Sequence, residues 1–134
     1  MGLQAMTDAA NGDLKAFTQE FYKHTAAADL GAVLETLDNG KALGPCIEMD
    51  VLGGADLLRY MAGFATKLDG ATRQVSIPGD HFAWTYREPV GVVAAIVPWN
   101  WPFNMAIWKL AAPLAAGCPV VLKPASATPL CALQ

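Results

Sequence analysis

The stretch VGVVAAIVPWNWPFNMAIWKLAAPLAAGCPVVLKP, Val90 to Pro124, decides the fold class. It opens on a continuous apolar run, Val90 to Val97, where a half-exposed strand would alternate. Such a run suits a strand buried on both faces, as in a parallel sheet. Pro98 to Pro102 reads as a loop. Phe103 to Ala116 reads as a helix ended by Gly117, and Pro113 inside it implies a kink or an early end. Pro119 leads into a second apolar strand, Val120-Val121-Leu122, followed by the loop Lys123-Pro124-Ala125-Ser126-Ala127. Thr128-Pro129 has the form of an N-cap with proline at the first helical position. Strand, helix, strand and the opening of a helix make an incomplete parallel βαβ unit in an α/β fold. One such unit cannot cover both faces of its own strands.

Upstream, the pattern turns helical. Leu30, Val33, Leu34 and Leu37 fall at helical spacing, and Asn39-Gly40 supplies a stop. Gly44-Pro45 reads as a break. Gly53-Gly54 precedes a helix expected over Ala55 to Leu68, with Leu57, Met61, Phe64 and Leu68 as its apolar stripe. The period then changes to two. Gln74 to Ile77 alternates, Pro78-Gly79-Asp80 turns, and Phe82, Trp84 and Tyr86 alternate on the way back, which predicts a β-hairpin with an aromatic face. That face either packs within the chain or pairs with another subunit. Residues 1–33 are unplaced and partly helical; 34–72 form a helical segment, 73–88 the hairpin and 89–134 the βαβ unit.

The 134-residue chain is 54% hydrophobic and 16% charged. That excludes a disordered chain and is greasier than the roughly 25% charge usual in soluble domains. Residues 1–88 hold seven basic and twelve acidic residues, a net of −5; residues 89–134 hold only Lys109 and Lys123. The acidic balance gives no case for nucleic acid or an anionic membrane. Val90 to Trp108 is uncharged over the length of a membrane span, but Pro98, Pro102, Asn100 and Asn104 in its middle argue against one. Cys46, Cys118 and Cys131 show no metal-binding spacing and no pairing pattern. Together with the lack of a secretory signal, they point to a reducing cytoplasm, and no metal is expected.

In open α/β sheets ligands bind beyond the carboxyl ends of the strands. Asn100 follows the first strand and Lys123 ends the second. An amide between two prolines and two tryptophans suits an oxyanion donor; a lysine at a strand end suits a phosphate or ribose hydroxyls. The plainer alternatives are that Asn100 caps the next helix and that Lys123 reaches water.

These residues resemble the aldehyde dehydrogenase superfamily. The family reads roughly P-x-G-V-x-x-x-I-x-P-W-N-F-P, then W-K-x-A-P-A-L-A-x-G, then V-V-x-K-P-x-E-x-T-P. LETLDNGK at Leu34 to Lys41 and REPVG at Arg87 to Gly91 match further family stretches, so the resemblance runs from about Leu34 to Gln134. It implies a partial aldehyde dehydrogenase-like fold, with the tail as an incomplete Rossmann-like unit of the cofactor domain. It also implies oxidation of an aldehyde to a carboxylic acid with NAD or NADP. Carried over by position, Asn100 is the oxyanion donor. Lys123 binds the cofactor ribose or its 2′-phosphate, and Val97, Pro98 and Trp99 line the cofactor cleft. The hairpin is implied to build a homo-oligomer.

Two departures bear on function. Ser126 stands where the family often carries an acidic residue, which removes a repulsion against a 2′-phosphate and admits NADP beside NAD. Trp101 replaces the usual Phe and adds an indole N–H. The family's glycine-rich cofactor loop, nucleophilic cysteine and general-base glutamate are implied to lie beyond Gln134, so the chain alone is expected to be inactive. A second reading is a catalytically inactive relative that assembles with full-length subunits.

Overall fold

The computed structural model describes residues 28–133; the partly helical reading of the first residues falls outside them. Helix α1 is Ala28–Asn39. It stops where predicted: Gly40 takes a φ of +80° and its N–H donates to the Thr36 carbonyl at 2.8 Å, a left-handed cap that glycine adopts without a Cβ penalty.

Gly44-Pro45 does not break the chain. It lies in the first helical turn of a longer run made of α2 (Leu43–Pro45), a π-helical segment (Cys46–Leu52) and α3 (Gly53–Ala62). Proline is tolerated there because first-turn N–H groups have no helical acceptor anyway. The Gly53-Gly54 pair likewise sits inside the helical run. A Cβ on Gly54 would meet the Phe103 ring at 3.1 Å and Ile107 at 3.4 Å, so the glycine permits close approach of a second helix. That helix is α4 (Pro102–Ala115), and its contact with α3 is the most extensive in the described chain. Leu58, Ile107 and Ala111 are buried between the two, with Leu57, Met61 and Phe103 packed around them. The apolar stripe expected as far as Leu68 ends early, because α3 stops at Ala62 and Phe64 and Leu68 are exposed.

Strands β1 (Thr72–Arg73) and β2 (Ala83–Trp84) pair antiparallel, Thr72 opposite Trp84. The hairpin exists, but its ladder is shorter and starts earlier than the alternation at Gln74 suggests. Val75, Ile77, Phe82, Trp84 and Tyr86 are all exposed, so no core holds the longer ladder together. Gly70 allows the base of the hairpin to close, since a Cβ there would overlap the Thr85 carbonyl.

Strands β3 (Val93–Ile96) and β4 (Val120–Lys123) pair in parallel across α4, with Val93 opposite Val120 and Ile96 opposite Lys123. Helix α4 continues past Pro113 to Ala115, although the proline cannot donate to the carbonyl four residues back. It ends in a Schellman motif: Cys118 N–H donates to Pro113 O at 2.9 Å and Gly117 N–H to Leu114 O at 3.0 Å, with Gly117 at φ +79°. Only one face of the two-stranded sheet is packed. Ala95 and Val97 are buried, whereas Val92, Ile96 and Val121 are exposed. Helix α5 is Leu130–Leu133.

Leu58 is fully buried at the α3–α4 contact. Leu58→Ala is expected to lower unfolding free energy by about 2–5 kcal/mol, read as a lower denaturant midpoint with an unchanged slope.

Candidate functional site

The parallel register brings the expected residues to one edge. Ile96 lies opposite Lys123, and Val97 N–H donates to the Lys123 carbonyl at 3.0 Å. The next residues, Pro98 to Trp101, therefore leave β3 beside the end of β4. Val97 is buried; Pro98, Trp99, Asn100, Lys123 and Ser126 are exposed. The Asn100 amide makes no side-chain hydrogen bond to any described residue. It does not cap α4, whose N-cap residue is Trp101. The Lys123 ammonium donates to the Pro124 carbonyl at 2.8 Å. An ammonium has three donors, so two remain for a ligand hydroxyl or phosphate. No carboxylate stands at position 126. The edge therefore offers ammonium donors without an opposing carboxylate at position 126.

What holds the edge is a polar row at the end of α1 that periodicity does not single out. Trp101 has no side chain suited to capping, and the first N–H groups of a helix need acceptors. Glu35 supplies one from α1: its Oε2 accepts the Phe103 N–H at 3.3 Å. Asn39 Nδ2 donates to the Trp99 carbonyl at 2.7 Å, and the Thr128 hydroxyl donates to the same oxygen at 3.1 Å. Thr128 thus does not cap the last helix as its sequence suggests. Asp38 does so instead, accepting the Leu130 N–H at 2.8 Å. Lys41 pairs with buried Asp50 at 2.7 Å and lies 4.0 Å from the Trp101 ring centroid, a cation–π contact. The only sequence signal for Glu35, Asp38, Asn39 and Lys41 acting together is the density of polar side chains in LETLDNGK; nothing in that string separates a buried acid from a solvated one.

Glu35 is fully buried and its Oε1 has no partner among the described residues. Burial pushes its carboxyl above the usual carboxylate range, and the nearby Asp50 adds to the shift; the Cys131 and Phe103 hydrogen bonds and Lys41 oppose it. Burial and the Glu35 contact raise the Cys131 thiol strongly, and burial raises Cys46. Neither is a ready thiolate at neutral pH, and Cys118 is buried. Among the described residues no cluster of His, Cys, Asp or Glu could hold a metal, and no helix is long and apolar enough to cross a membrane.

A groove of about 540 Å³ adjoins this edge at Trp101, lined by Gly53, Asp56, Leu57 and Tyr60 of α3 and by Trp101, Asn104, Met105 and Trp108 at the start of and along α4. Asn104 is buried and donates to the Met49 carbonyl at 2.7 Å, which ties α4 to the π-helical segment. Apart from Asp56 and Asn104, the side chains of the groove wall are aromatic and aliphatic.

Comparison with known proteins matches residues 16–134 to the aldehyde dehydrogenase family. The match begins ahead of Leu34, where the recognisable motifs start. Over 113 residues the chain is 55% identical to phenylacetaldehyde dehydrogenase of Pseudomonas fluorescens, covering 81% of this chain and 22% of that protein. An NAD+ complex of aldehyde dehydrogenase from Bacillus cereus superposes with a TM-score of 0.83 at 39% identity, covering 99% of this chain and 26% of that one. Betaine aldehyde dehydrogenase from Staphylococcus aureus gives 0.85 at 37% identity, over 95% of this chain and 24% of that one. The chain spans about a quarter of the length of these relatives.

The raised Glu35 carboxyl makes a pH prediction. An acid whose pKa is higher folded than unfolded contributes stability that is full below the unfolded value, near 4.5, and is lost as pH rises through the folded value. The unfolding midpoint of wild type is expected to fall across that window relative to Glu35→Gln. Parallel pH profiles for the two proteins would contradict a buried, uncharged-preferring Glu35.

Proposed function

The chain belongs to the aldehyde dehydrogenase family, and on that premise we propose that it supplies the oxyanion and cofactor edge of an enzyme oxidising an aldehyde to a carboxylic acid with NAD or NADP. The observation that carries this reading is the common edge of Asn100 and Lys123 beside a groove with an aromatic wall. A bound dinucleotide would supply the hydride acceptor. The chain's own residues bind and orient. The Asn100 amide donates to the oxygen of the reacting carbonyl as negative charge develops there, an interaction stronger in the transition state than in the ground state. Lys123 donates to ribose hydroxyls or to a 2′-phosphate, while Val97, Pro98 and Trp99 form the adjoining wall. Ser126 brings no negative charge against a 2′-phosphate, which supports use of either cofactor.

The buried or high-pKa state of all three cysteines supports assigning the nucleophile, with the general base, to the remainder of the family fold. The chain by itself is then inactive. The groove favours an apolar aldehyde. Leu57, Tyr60, Trp101, Met105 and Trp108 offer apolar and aromatic contact, and the similarity to a phenylacetaldehyde dehydrogenase supports an arylacetaldehyde.

Within this reading residues 34–72 are the helical segment of the cofactor domain, 73–88 the oligomerisation hairpin and 89–134 the NAD(P)-binding unit. The exposed aromatic residues of the hairpin support homo-oligomer assembly. Free cysteines throughout support a reducing, cytoplasmic setting.

In the full-length protein, Asn100→Ala is expected to lower kcat about 10²–10³-fold with little change in the Kd for NAD+. Lys123→Met is expected to do the reverse, weakening cofactor binding measured by calorimetric titration. An Asn100→Ala enzyme with wild-type kcat contradicts the oxyanion role; strict rejection of NADP+ contradicts the role given to Ser126.

A further inference from the structure

We propose that Asn39 and Thr128 are positioning residues that set the orientation of Asn100 by clamping the peptide bond that precedes it. The inference rests on the oxyanion role of Asn100 above. The Trp99 carbonyl and the Asn100 N–H belong to one planar peptide unit, which is trans, so their directions are locked opposite each other. Two donors converge on that carbonyl: Asn39 Nδ2 at 2.7 Å, from a residue 60 positions upstream, and Thr128 Oγ1 at 3.1 Å, from one 29 positions downstream. One hydrogen bond leaves a peptide plane free to rock about the bonded oxygen. Two donors from different elements remove most of that freedom.

The far side of Asn100 is held as well. Trp101 has a φ of −143° and ψ of 61° and is followed by Pro102, whose ring fixes its own φ. Glu35 then takes the Phe103 N–H, and Lys41 stacks on the Trp101 ring. Asn100 is thus a side chain without a described partner on a backbone fixed at both ends. That is what a preorganised donor requires, since a misplacement of about 1 Å can cost about a hundredfold in rate. In this proposal the two residues act on Asn100 through the Trp99–Asn100 peptide, whose carbonyl both of them engage.

The chemistry of Thr128 allows a clean test. Thr128 is 3% exposed, so its methyl and its hydroxyl have separable roles. Thr128→Val keeps the shape and deletes the donor; Thr128→Ser keeps the donor and deletes the methyl. In the full-length protein we expect Thr128→Val and Asn39→Ala each to lower kcat about tenfold or more, with KM for aldehyde and for NAD+ within about twofold. Thr128→Ser is expected to retain wild-type kcat. A packing role would give the opposite order, with Val tolerated and Ser impaired, and would overturn the proposal.

A double-mutant cycle separates the clamp from the role of its target. Added to Asn100→Ala, Asn39→Ala is expected to lower kcat by less than about twofold further, because the group it orients is gone. If Asn100→Ala is slow and Asn39→Ala multiplies its loss in full, Asn39 acts elsewhere and the clamp is wrong while the oxyanion reading stands. If Asn100→Ala leaves kcat unchanged, the oxyanion reading fails and the clamp falls with it. Should Asn39→Ala fail to fold, the contrast between Thr128→Val and Thr128→Ser decides for or against the clamp alone.

Discussion

The structure depends on a buried carboxylate at a helix start. Helix α4 carries the candidate site at its N-terminal end, and the residue that should cap it is a tryptophan, with no acceptor to offer. Glu35 reaches across from α1 to do so. An uncapped first turn leaves donors unsatisfied in a place that water reaches poorly, which costs about 1–3 kcal/mol per buried group. The arrangement has its own cost: one carboxylate oxygen stays unpartnered among the described residues and the group is harder to ionise. The same helix end presents Asp38 to α5 and Asn39 to the Trp99 carbonyl. One helix end therefore fixes three backbone positions that are distant in sequence and adjacent at the site.

The second constraint is the approach of α3 to α4. Gly54 removes the Cβ that would press on Phe103, and Leu58, Ile107 and Ala111 fill the space that remains. This contact sets one wall of the groove against the other. Trp101 connects the two constraints, since its ring meets Lys41 and the residue also lines the groove. Lys41 is held by Asp50, so a chain of contacts runs from the groove wall through Lys41 to the buried π-helical segment.

What is legible in the sequence follows from where the information lies. The βαβ order, the helix stop at Gly40 and the Schellman glycine at Gly117 are local, and local patterns specify them. The family motifs lead to Asn100 and Lys123, and register places them at one edge. The departures share a cause, because each is decided by a tertiary partner. Gly44-Pro45 looks like a break until the proline is seen to occupy a first helical turn. Gly53-Gly54 reads as lying ahead of its helix until α4 is packed against it. Thr128 looks like a cap until the Trp99 carbonyl takes its hydroxyl. The hairpin's alternation predicts a longer ladder than forms, since alternation alone supplies no surface to pack on. Glu35, Asp38 and Asn39 are hidden for a related reason: polar residues on a helix are ordinarily solvated, and only the fold reveals which of them are engaged.

Native-state amide hydrogen exchange reads the central constraint without any need for turnover. If α1 caps the two downstream helices, the Phe103 and Leu130 amides exchange slowly in wild type. Glu35→Ala then accelerates Phe103 and leaves Leu130 protected, while Asp38→Ala does the converse. Fast exchange at both amides in the wild-type chain, or no change at Phe103 on loss of Glu35, would contradict the claim that one helix end organises the site.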